Sequence, residues 1–487
     1  MGTPSPAGIV RVAAPAALAM GAVLLATSGR YGLHGDELYF RMLPWAWWYD
    51  DQPPMTVWLS RLAGLGGAAW LQRVPAILAA MAGVLLAAAG PRLLGHPARV
   101  QRVAAWAHAT TVYPLLVGHV FLTASIDLVV WQAVILLVLR GIQGRPSALA
   151  WAGAVAGLGC WNKLLVMVLV AGLVVALAAS HPRLLCTRGA LTGLVALAVL
   201  AGPQVAAQLW HGLPMSAVSA DLIARHGAST RWFVVPLVLI FIGPPYVRVL
   251  WRGLSWGPRM SERCRRPGAH GLGVPVLAVA AALVTGFTVL FPAQPYYPVA
   301  AFLPALSIGW GAAAEADWAL WRRRWVVVGA NAVVSLLVCL PLAPTSSTVF
   351  RLVSAVNPVQ RDQAGWDGYV QQISAARGRS QATVVTDSYA LAGAVAFYGP
   401  TRGIPADRVA SGHNALSGSG PPSTESVLLV GERSAGLRHL FARCVDVGTL
   451  ARGESDPFGV AGAPLVRCDS PSGGWARVWP AFRFHGA

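Results

Sequence analysis

Four carboxylates lie close together in a short polar stretch near the start of the chain. The stretch reads His34-Gly35-Asp36-Glu37-Leu38-Tyr39-Phe40 and is soon followed by Asp50-Asp51-Gln52-Pro53-Pro54. The first 343 residues hold only nine acidic side chains, so four of the nine fall here. A carboxylate in a partly dry cleft can accept a proton from an attacking hydroxyl group. Asp36 is therefore the first candidate for a general base.

On a helix Glu37 would point about 100° away from Asp36, which predicts a base and a separate positioning group rather than a shared-proton pair.

Two simpler structural roles compete with chemistry at these carboxylates. Asp36 could instead be the N-cap of a helix. Asp50 and Asp51 could be a solvated turn before the two prolines, although Asp51 also remains a candidate to line a substrate site.

Asp127 and Lys163 are the next residues whose types suggest chemistry. Asp127 follows Leu122-Thr123-Ala124-Ser125-Ile126 at the expected start of a helix, where helix capping is an equal alternative. Lys163 is the only lysine in the chain, and apart from histidines all other basic residues are arginines. An ammonium group can neutralise a departing phosphate, although it could also be an interfacial residue that reaches for water. Arg225 and Arg231 could add positive charge or anchor the end of a span.

The elements that position these residues are predicted to cross a membrane. The chain is 55% hydrophobic and only 11% charged, and apolar runs recur until about residue 343. This pattern is typical of a polytopic α-helical membrane protein with about 11 transmembrane helices. The predicted spans are 8–29, 74–90, 103–121, 128–142, 149–161, 164–180, 189–210, 232–251, 272–291, 297–314 and 325–343. The stretch 149–180 is interpreted as a short helical hairpin with Asn162 and Lys163 at its outer turn, because both flanking loops are basic.

The arginines predict the orientation of these spans. The formal charge of +18 comes mainly from short basic loops between apolar runs, which indicates positive-inside topology and not a nucleic-acid partner. The N-terminus is then cytoplasmic, and Asp36, Glu37, Asp127 and Lys163 lie on the outer side of a plasma membrane. A cleaved signal peptide is an alternative for the first span.

Two predicted domains follow from this topology. Residues 1–343 form the transmembrane domain, whose first outer loop, residues 30–73, carries two surface helices at 36–43 and 54–65. Residues 344–487 form an extracytoplasmic α/β domain with strands at 383–386 and 426–430 and helices at 390–398 and 435–442. The Gly/Ser/Pro-rich loop 411–423 could contact the membrane site. Cys444 and Cys468 are equally compatible with a disulfide and with free thiols.

The order of these motifs resembles glycosyltransferase family 39, a membrane group of GT-C fold that includes protein O-mannosyltransferases and lipid A aminoarabinose transferases. The resemblance is strongest from Tyr31 to Leu62 and extends to residues 123–127, 159–163 and 291–304. It implies an inverting transfer of mannose, or another hexose or pentose, from a polyprenyl-phosphate donor to a hydroxyl group of a glycan, lipid or protein.

The resemblance also implies roles for individual residues. Asp36 would be the base, Glu37 its partner at the acceptor, Asp127 a second acidic site residue, and Lys163 a ligand of the donor phosphate together with Arg225 and Arg231. The residues expected to line the substrate site are His34, Tyr39, Asp51, Gln52, Asn162, Gln294, Tyr296 and Tyr297. No tightly bound cofactor is expected, and a divalent cation is compatible with the carboxylates but not required.

Three positions depart from the family pattern. Gln294 stands where several relatives have a lysine, and Leu391 stands where a glutamate is usual. Aromatic residues that often follow Ser411-Gly412-His413-Asn414 are absent. The main alternative function is a transporter of a lipid or small polar solute, whose polar groups would lie near the bilayer midplane; a membrane scaffold without catalytic activity is a further alternative.

Overall fold

The computed structural model describes residues 6–255, 275–292 and 294–486, which divide into two compact units. The helical unit comprises Met1–Thr27, Arg73–Gly212 and Leu222–Leu340. The mixed unit comprises Ser28–Gln72, Leu213–Asp221 and Pro341–Ala487. The predicted basic loop around Arg266 and the start of the predicted span 272–291 lie outside the described residues.

Helices account for most of the chain up to residue 339. They are α1 Pro6–Thr27, α2 Gly35–Met42, α3 Met55–Gly64, α4 Val74–Leu93, α5 Ala98–Ala109, α6 Val112–His119, α7 Thr123–Ile142, α8 Ala148–Gly159, α9 Val166–Ser180, α10 Pro182–Leu185, α11 Arg188–Trp210, α12 Pro214–Ile242, α13 Val247–Leu254, α14 Val276–Leu290, α15 Val299–Ala316, α16 Trp318–Arg322 and α17 Arg324–Cys339. Each of the eleven predicted spans overlaps one of these helices or a consecutive pair of them.

Several of these helices have the length and composition to cross a bilayer. Among the described residues, five helical stretches qualify, and they lie at Gly8–Thr27, Ala69–Leu93, Thr123–Ile142, Arg188–Trp210 and Val299–Ala316. A bent pair, Gly227–Ile242 with Pro244–Leu254, qualifies as a sixth. Helices α8, α9, α14 and α17 are shorter and apolar. The prediction of a multi-span helical membrane protein is confirmed.

Two predicted spans are wrong as single straight helices. The span 232–251 falls on the end of α12 and on α13, which meet at an angle of 84°. Gly243 has a φ of +102° and is followed by two prolines, which together end the helix. The span 103–121 is broken between α5 and α6, because the ring of Pro114 conflicts with the carbonyl of residue 110 in a continuous helix.

Small residues allow the short helices of the helical unit to pack closely. A Cβ atom on Gly193 of α11 would overlap the backbone carbonyl of Leu149 at the start of α8. A Cβ atom on Gly153 of α8 would likewise overlap the backbone of Gly193. Close backbone approach through glycine is a common way for membrane helices to associate. This contact fixes α8, and with it the turn that follows α8.

The mixed unit is built around a five-stranded sheet of order β2-β1-β3-β5-β4. The strands are β1 Thr383–Thr386, β2 Val409–Ala410, β3 Val427–Val430, β4 Phe441–Thr449 and β5 Pro464–Pro471. Strand β1 pairs in parallel with β2 and β3, whereas β5 is antiparallel to β3 and β4. The remaining helices are α18 Thr348–Val356, α19 Pro358–Arg361, α20 Trp366–Arg377, α21 Tyr389–Tyr398, α22 Glu432–Gly436 and α23 Trp475–Phe482. Cys444 and Cys468 face each other across β4 and β5 and form a disulfide.

The predicted α/β elements are correct at β1, α21 and β3, but the predicted helix 435–442 is wrong. The structure ends α22 at Gly436, continues with a 3-10 turn over Leu437–Leu440, and begins β4 at Phe441. The residues 435–442 have helix-like spacing of apolar side chains. Pairing with β5, which is distant in sequence, overrides this local pattern.

Residues 28–72 pack with the C-terminal region in the mixed unit, whereas the sequence grouped them with the transmembrane helices. Helices α2 and α3 lie within one or two residues of the two predicted surface helices. Leu38 of α2 shares a buried core with Leu391 and Val395 of α21. A Cβ atom on Gly393 of α21 would meet the backbone carbonyl of Leu38, so these two helices touch through backbone.

Candidate active site

The start of α2 is held by a capping arrangement between His34 and Glu37. The backbone N–H of Asp36 donates to His34 Nδ1 over 3.2 Å, and the backbone N–H of His34 donates to Glu37 Oε2 over 2.8 Å. The side chain of Glu37 is fully buried. His34 is therefore the N-cap, and the alternative that Asp36 caps this helix is wrong.

The carboxylate of Asp36 is oriented by a tyrosine from the C-terminal region. Tyr389 Oη donates to Asp36 Oδ1 over 3.1 Å, and the Asp36 side chain is 32% exposed. Desolvation, followed by the nearby Asp36 charge, raises the pKa of Tyr389 well above its ordinary value. The phenol therefore stays protonated and remains a donor. The backbone N–H of Tyr389 in turn donates to His413 Nδ1 over 3.2 Å.

Asp51 makes a similar pair with a second tyrosine. Tyr39 Oη donates to Asp51 Oδ2 over 2.8 Å and accepts from the backbone N–H of Ala415 over 3.2 Å. The rings of Tyr39 and Tyr389 lie 4.8 Å apart, so the two pairs are neighbours. We call Asp36, Tyr39, Asp51 and Tyr389 the tyrosine–aspartate cluster. The contact with Ala415 shows that the loop 411–423 reaches this cluster.

Asp51 differs from an ordinary surface carboxylate in its protonation. Desolvation raises the pKa of Asp51 to about 7, and the charges of Asp50 and Asp36 act in the same direction. The hydrogen bond from Tyr39 opposes this shift only in part. The alternative of a plain solvated turn at Asp50-Asp51 does not fit this environment.

A second cluster lies in the helical unit at the turn between α8 and α9. Asn162 Nδ2 donates to Asp127 Oδ1 and to the backbone carbonyl of Thr123, each over 2.8 Å. Asp127 and Asn162 are buried. The cap of α7 is made by Ser125 Oγ, which accepts from the N–H of Leu122 over 3.0 Å, so the alternative that Asp127 caps α7 is wrong.

Lys163 lies beside this buried pair and against two aromatic rings. Its Nζ is 4.0 Å from the ring centre of Tyr297 and 5.6 Å from that of Tyr296, both cation–π distances. The positive charge of Lys163 also interacts electrostatically with the carboxylate of Asp127. We call Asp127, Asn162, Lys163, Tyr296 and Tyr297 the lysine cluster. The predicted break with Asn162 and Lys163 lies between α8 and α9.

Three further predicted residues lie on elements around the lysine cluster. Gln294 is in the same turn as the two tyrosines and accepts from the N–H of Tyr297 through its backbone carbonyl over 3.4 Å. Arg225 and Arg231 precede the predicted span 232–251, and both lie exposed on α12, which begins earlier, at Pro214. A Cβ atom on Gly227 of α12 would come within 3.3 Å of Pro292, so α12 packs against this turn near both arginines.

The structure adds residues that the sequence did not assign to the site. Tyr389 was given no role from the sequence, and His413 was noted only as part of a segment similar to the family. The hydrogen bond from Tyr389 to Asp36 of α2 is a long-range contact. His485 Nε2 lies 2.7 Å from Asp50 Oδ2, and no sequence pattern pointed to it. Within the described residues, no group of three or more His, Cys, Asp or Glu side chains is arranged to hold a metal ion.

Comparisons with known proteins agree with this architecture. Residues 51–206, less than half of the chain, match the family model of dolichyl-phosphate-mannose-protein mannosyltransferases. The structure is similar to that of ArnT from Cupriavidus metallidurans bound to undecaprenyl phosphate, with a TM-score of 0.54, 14% identity, and coverage of 95% of this chain and 98% of that chain. The apo state of the same ArnT gives 0.53 and 14%, with coverage of 92% and 96%. A search of curated protein sequences gave no match.

The fold is thus that of the GT-C membrane glycosyltransferases. The family match and the ArnT-like fold together indicate a glycosyltransferase, and the expected resemblance to glycosyltransferase family 39 is confirmed.

We predict that Asp51→Asn flattens the pH dependence of stability. In the unfolded chain Asp51 ionises near 3.8, whereas in the folded chain its pKa is about 7. Between these values the folded chain holds one more proton, so stability falls as the pH rises, by at most about 1.4 kcal/mol per pH unit and by less because the carboxyl group is partly exposed. The asparagine retains an acceptor for Tyr39 and removes this slope.

The measurement is the midpoint of thermal unfolding in detergent from pH 5 to pH 8. Asp51→Asn should be more stable than the wild type above pH 7. The matched control is Asp407→Asn, which changes an exposed aspartate of the same unit and should keep the wild-type slope. An unchanged slope in Asp51→Asn would contradict the prediction.

Proposed function

We propose that the chain transfers a sugar from a polyprenyl-phosphate donor to a hydroxyl acceptor with inversion at the anomeric carbon. The sugar is mannose or another hexose or pentose, and the acceptor is a glycan, lipid or protein. The observation that carries the proposal is the environment of Asp36. Its carboxylate is partly exposed, one oxygen is held by a protonated phenol, and within the described residues it forms no ion pair with an arginine or lysine.

The reaction needs one base and one site of positive charge. The acceptor oxygen attacks the anomeric carbon while Asp36 takes the hydroxyl proton. The bond from the anomeric carbon to the phosphate oxygen breaks, and the polyprenyl phosphate leaves with the electron pair. Lys163 stabilises the charge that develops on that phosphate, and no nucleophilic side chain is required.

The lysine cluster supports the role of Lys163. Its ammonium lies against two tyrosine rings at cation–π distances, which places its positive charge at this turn. Arg225 and Arg231 on α12 supply additional positive charge for the donor phosphate. The donor class is further supported by the undecaprenyl phosphate bound to ArnT, a protein of the same fold.

The other acidic residues support the base and the donor site. Glu37 is fully buried and closes the cap of α2, so we propose that it supports the acceptor site by fixing the start of the helix that carries Asp36. Asp127 orients Asn162 and balances the charge of Lys163. We propose His34, Tyr39, Asp51 and Gln52 as substrate-lining residues of the mixed unit, and Asn162, Gln294, Tyr296 and Tyr297 as substrate-lining residues of the helical unit.

We further propose that the reaction takes place on the outer face of the plasma membrane, with the N-terminus in the cytoplasm and the C-terminal region outside. The arginine-rich loops support this orientation. The disulfide between Cys444 and Cys468 also supports it, because such bonds persist mainly in oxidising compartments.

We expect Asp36→Asn to abolish transfer, because the amide is the same size but cannot accept a proton. The release of undecaprenyl phosphate from a panel of synthetic undecaprenyl-phosphate sugars should fall by about 10²- to 10⁴-fold in proteoliposomes supplied with cell-envelope extract. Membrane insertion and donor binding should be unchanged. Asp407→Asn is the matched control and should transfer at the wild-type rate. Near-normal turnover by Asp36→Asn would contradict the assignment of Asp36 as the general base.

Tyr389→Phe should lower kcat by about 10-fold with little change in the KM for the donor. The lost hydrogen bond to a charged group corresponds to roughly 1.5–3 kcal/mol, part of which is expressed in the transition state. The release of undecaprenyl phosphate in proteoliposomes, measured at several donor concentrations, gives kcat and KM. The control is Tyr369→Phe, which removes a tyrosine–aspartate bond of the same length, 3.1 Å to Asp456, at another place in the unit. Equal effects of the two variants would reject a positioning role for Tyr389.

Lys163→Ala should weaken the binding of undecaprenyl phosphate by about 10-fold or more, because an ammonium contact with a phosphate is a charge-assisted interaction. Titration of undecaprenyl phosphate in nanodiscs, followed by tryptophan fluorescence, gives the affinity. Lys163→Arg keeps the charge and the contact with aromatic rings, and it should retain most of the affinity. An unchanged affinity in Lys163→Ala would exclude the phosphate role.

A further inference from the structure

Three consecutive residues before α3 each carry a buried polar atom with no hydrogen-bond partner among the described residues. The atoms are Asp50 Oδ1, Asp51 Oδ1 and Gln52 Nε2. Only 9% of Gln52 is exposed, so its unpaired amide is nine-tenths buried. Buried polar groups are nearly always satisfied in folded proteins. Three adjacent exceptions in one turn point to a ligand.

Both carboxylates are already oriented through their other oxygen. His485 Nε2 lies 2.7 Å from Asp50 Oδ2, and Tyr39 Oη donates to Asp51 Oδ2 over 2.8 Å. In each residue one oxygen is thus engaged and the second is left over. This arrangement fixes the direction of the unpaired oxygens before any ligand binds, which lowers the entropic cost of binding.

The usual hydrogen bond from the backbone two residues later is not available to Asp51. An aspartate in a turn commonly accepts from the backbone N–H two residues later. For Asp51 that residue is Pro53, and Pro54 follows it, so neither has an N–H to give. The two prolines therefore leave the second oxygen of Asp51 available to another molecule.

The set of groups selects the chemistry of that molecule. Two carboxylate oxygens that accept and one amide N–H that donates match hydroxyl groups, which both donate and accept. A phosphate or other anion would be repelled by the two carboxylates. A cation would be opposed by the amide donor, and the described residues contain no cluster suited to a metal ion.

We propose that Asp50, Asp51 and Gln52 form a subsite that binds neighbouring hydroxyl groups of a sugar. The inference rests on the proposed function and deepens it, because it assigns sugar recognition to side chains separate from the base Asp36. Asp51 contributes in either protonation state near neutral pH, since its protonated form donates and its ionised form accepts.

The test is sugar binding by the full-length chain in nanodiscs, measured by saturation-transfer NMR without turnover. The probes are methyl α-mannopyranoside and methyl β-arabinopyranoside, with cyclohexanol as a ring of similar size that has one hydroxyl group. The wild type should bind at least one glycoside and not cyclohexanol. Gln52→Met, which keeps the side-chain length and removes the donor, should weaken glycoside binding by about 10-fold or more.

A thermal readout separates recognition from a structural role. Replacing an unpaired buried amide by an apolar group of similar shape is neutral or stabilising, so Gln52→Met should unfold at the same or a higher temperature than the wild type. The matched control is Gln372→Met. Gln372 exchanges two hydrogen bonds with the backbone of Ala451, so its loss should lower the unfolding temperature and leave glycoside binding unchanged.

Two arms distinguish the source of the hydroxyl groups. If the subsite holds the sugar of the donor, Gln52→Met should reduce the affinity for undecaprenyl-phosphate mannose to that for undecaprenyl phosphate. If it holds a sugar acceptor, that affinity should stay at the wild-type value while glycoside binding is lost. Either result supports the subsite.

Three results would overturn it: no binding of either glycoside by the wild type, equal glycoside binding by Gln52→Met, or equal binding of cyclohexanol and the glycosides. Because none of these measurements needs transfer, they stand apart from the test of Asp36. Glycoside binding by a chain that transfers no sugar would reject the proposed reaction and leave the hydroxyl subsite in place.

Discussion

The backbone contact between α2 and α21 is the constraint on which the tyrosine–aspartate cluster depends. Gly393 has no side chain, so α21 approaches the carbonyl of Leu38 directly. Tyr389 at the start of α21 thereby reaches Asp36 at the start of α2. A larger residue at position 393 would separate the helices and break this pairing. The C-terminal region thus orients the proposed base through a packing contact and one hydrogen bond.

The two clusters handle charge in different ways that suit their proposed tasks. In the tyrosine–aspartate cluster, neutral phenols donate hydrogen bonds to the carboxylates and add no positive charge of their own. In the lysine cluster, aromatic faces hold an ammonium while the buried Asp127 and Asn162 fix the turn behind it. Positive charge lies where we propose that the phosphate leaves, and partly exposed carboxylates lie where we propose that hydroxyl groups react.

Local patterns predicted the helices well and the sheet only in part. The apolar runs located the helices of the helical unit because a membrane requires long apolar segments, and the turn at Lys163 followed from the basic loops on both sides. Strands β4 and β5 were missed, since their pairing depends on residues 15 to 30 positions apart, from Thr449 with Pro464 to Phe441 with Pro471. The break at Pro114 carries a signal in its sequence, whereas the 84° bend after Ile242 becomes measurable only in three dimensions.

The sequence by itself determined the membrane class, the resemblance to glycosyltransferase family 39, and the candidates Asp36, Asp127 and Lys163, because rare polar residues in an apolar chain stand out by type and spacing. Tertiary structure alone decided their partners. Side-chain hydrogen bonds pair Asp36 with Tyr389, Asp51 with Tyr39, and Asp50 with His485 near the other end of the chain. The contacts of Asp36 and Asp50 join residues 353 and 435 positions apart, and no local propensity encodes such a pairing.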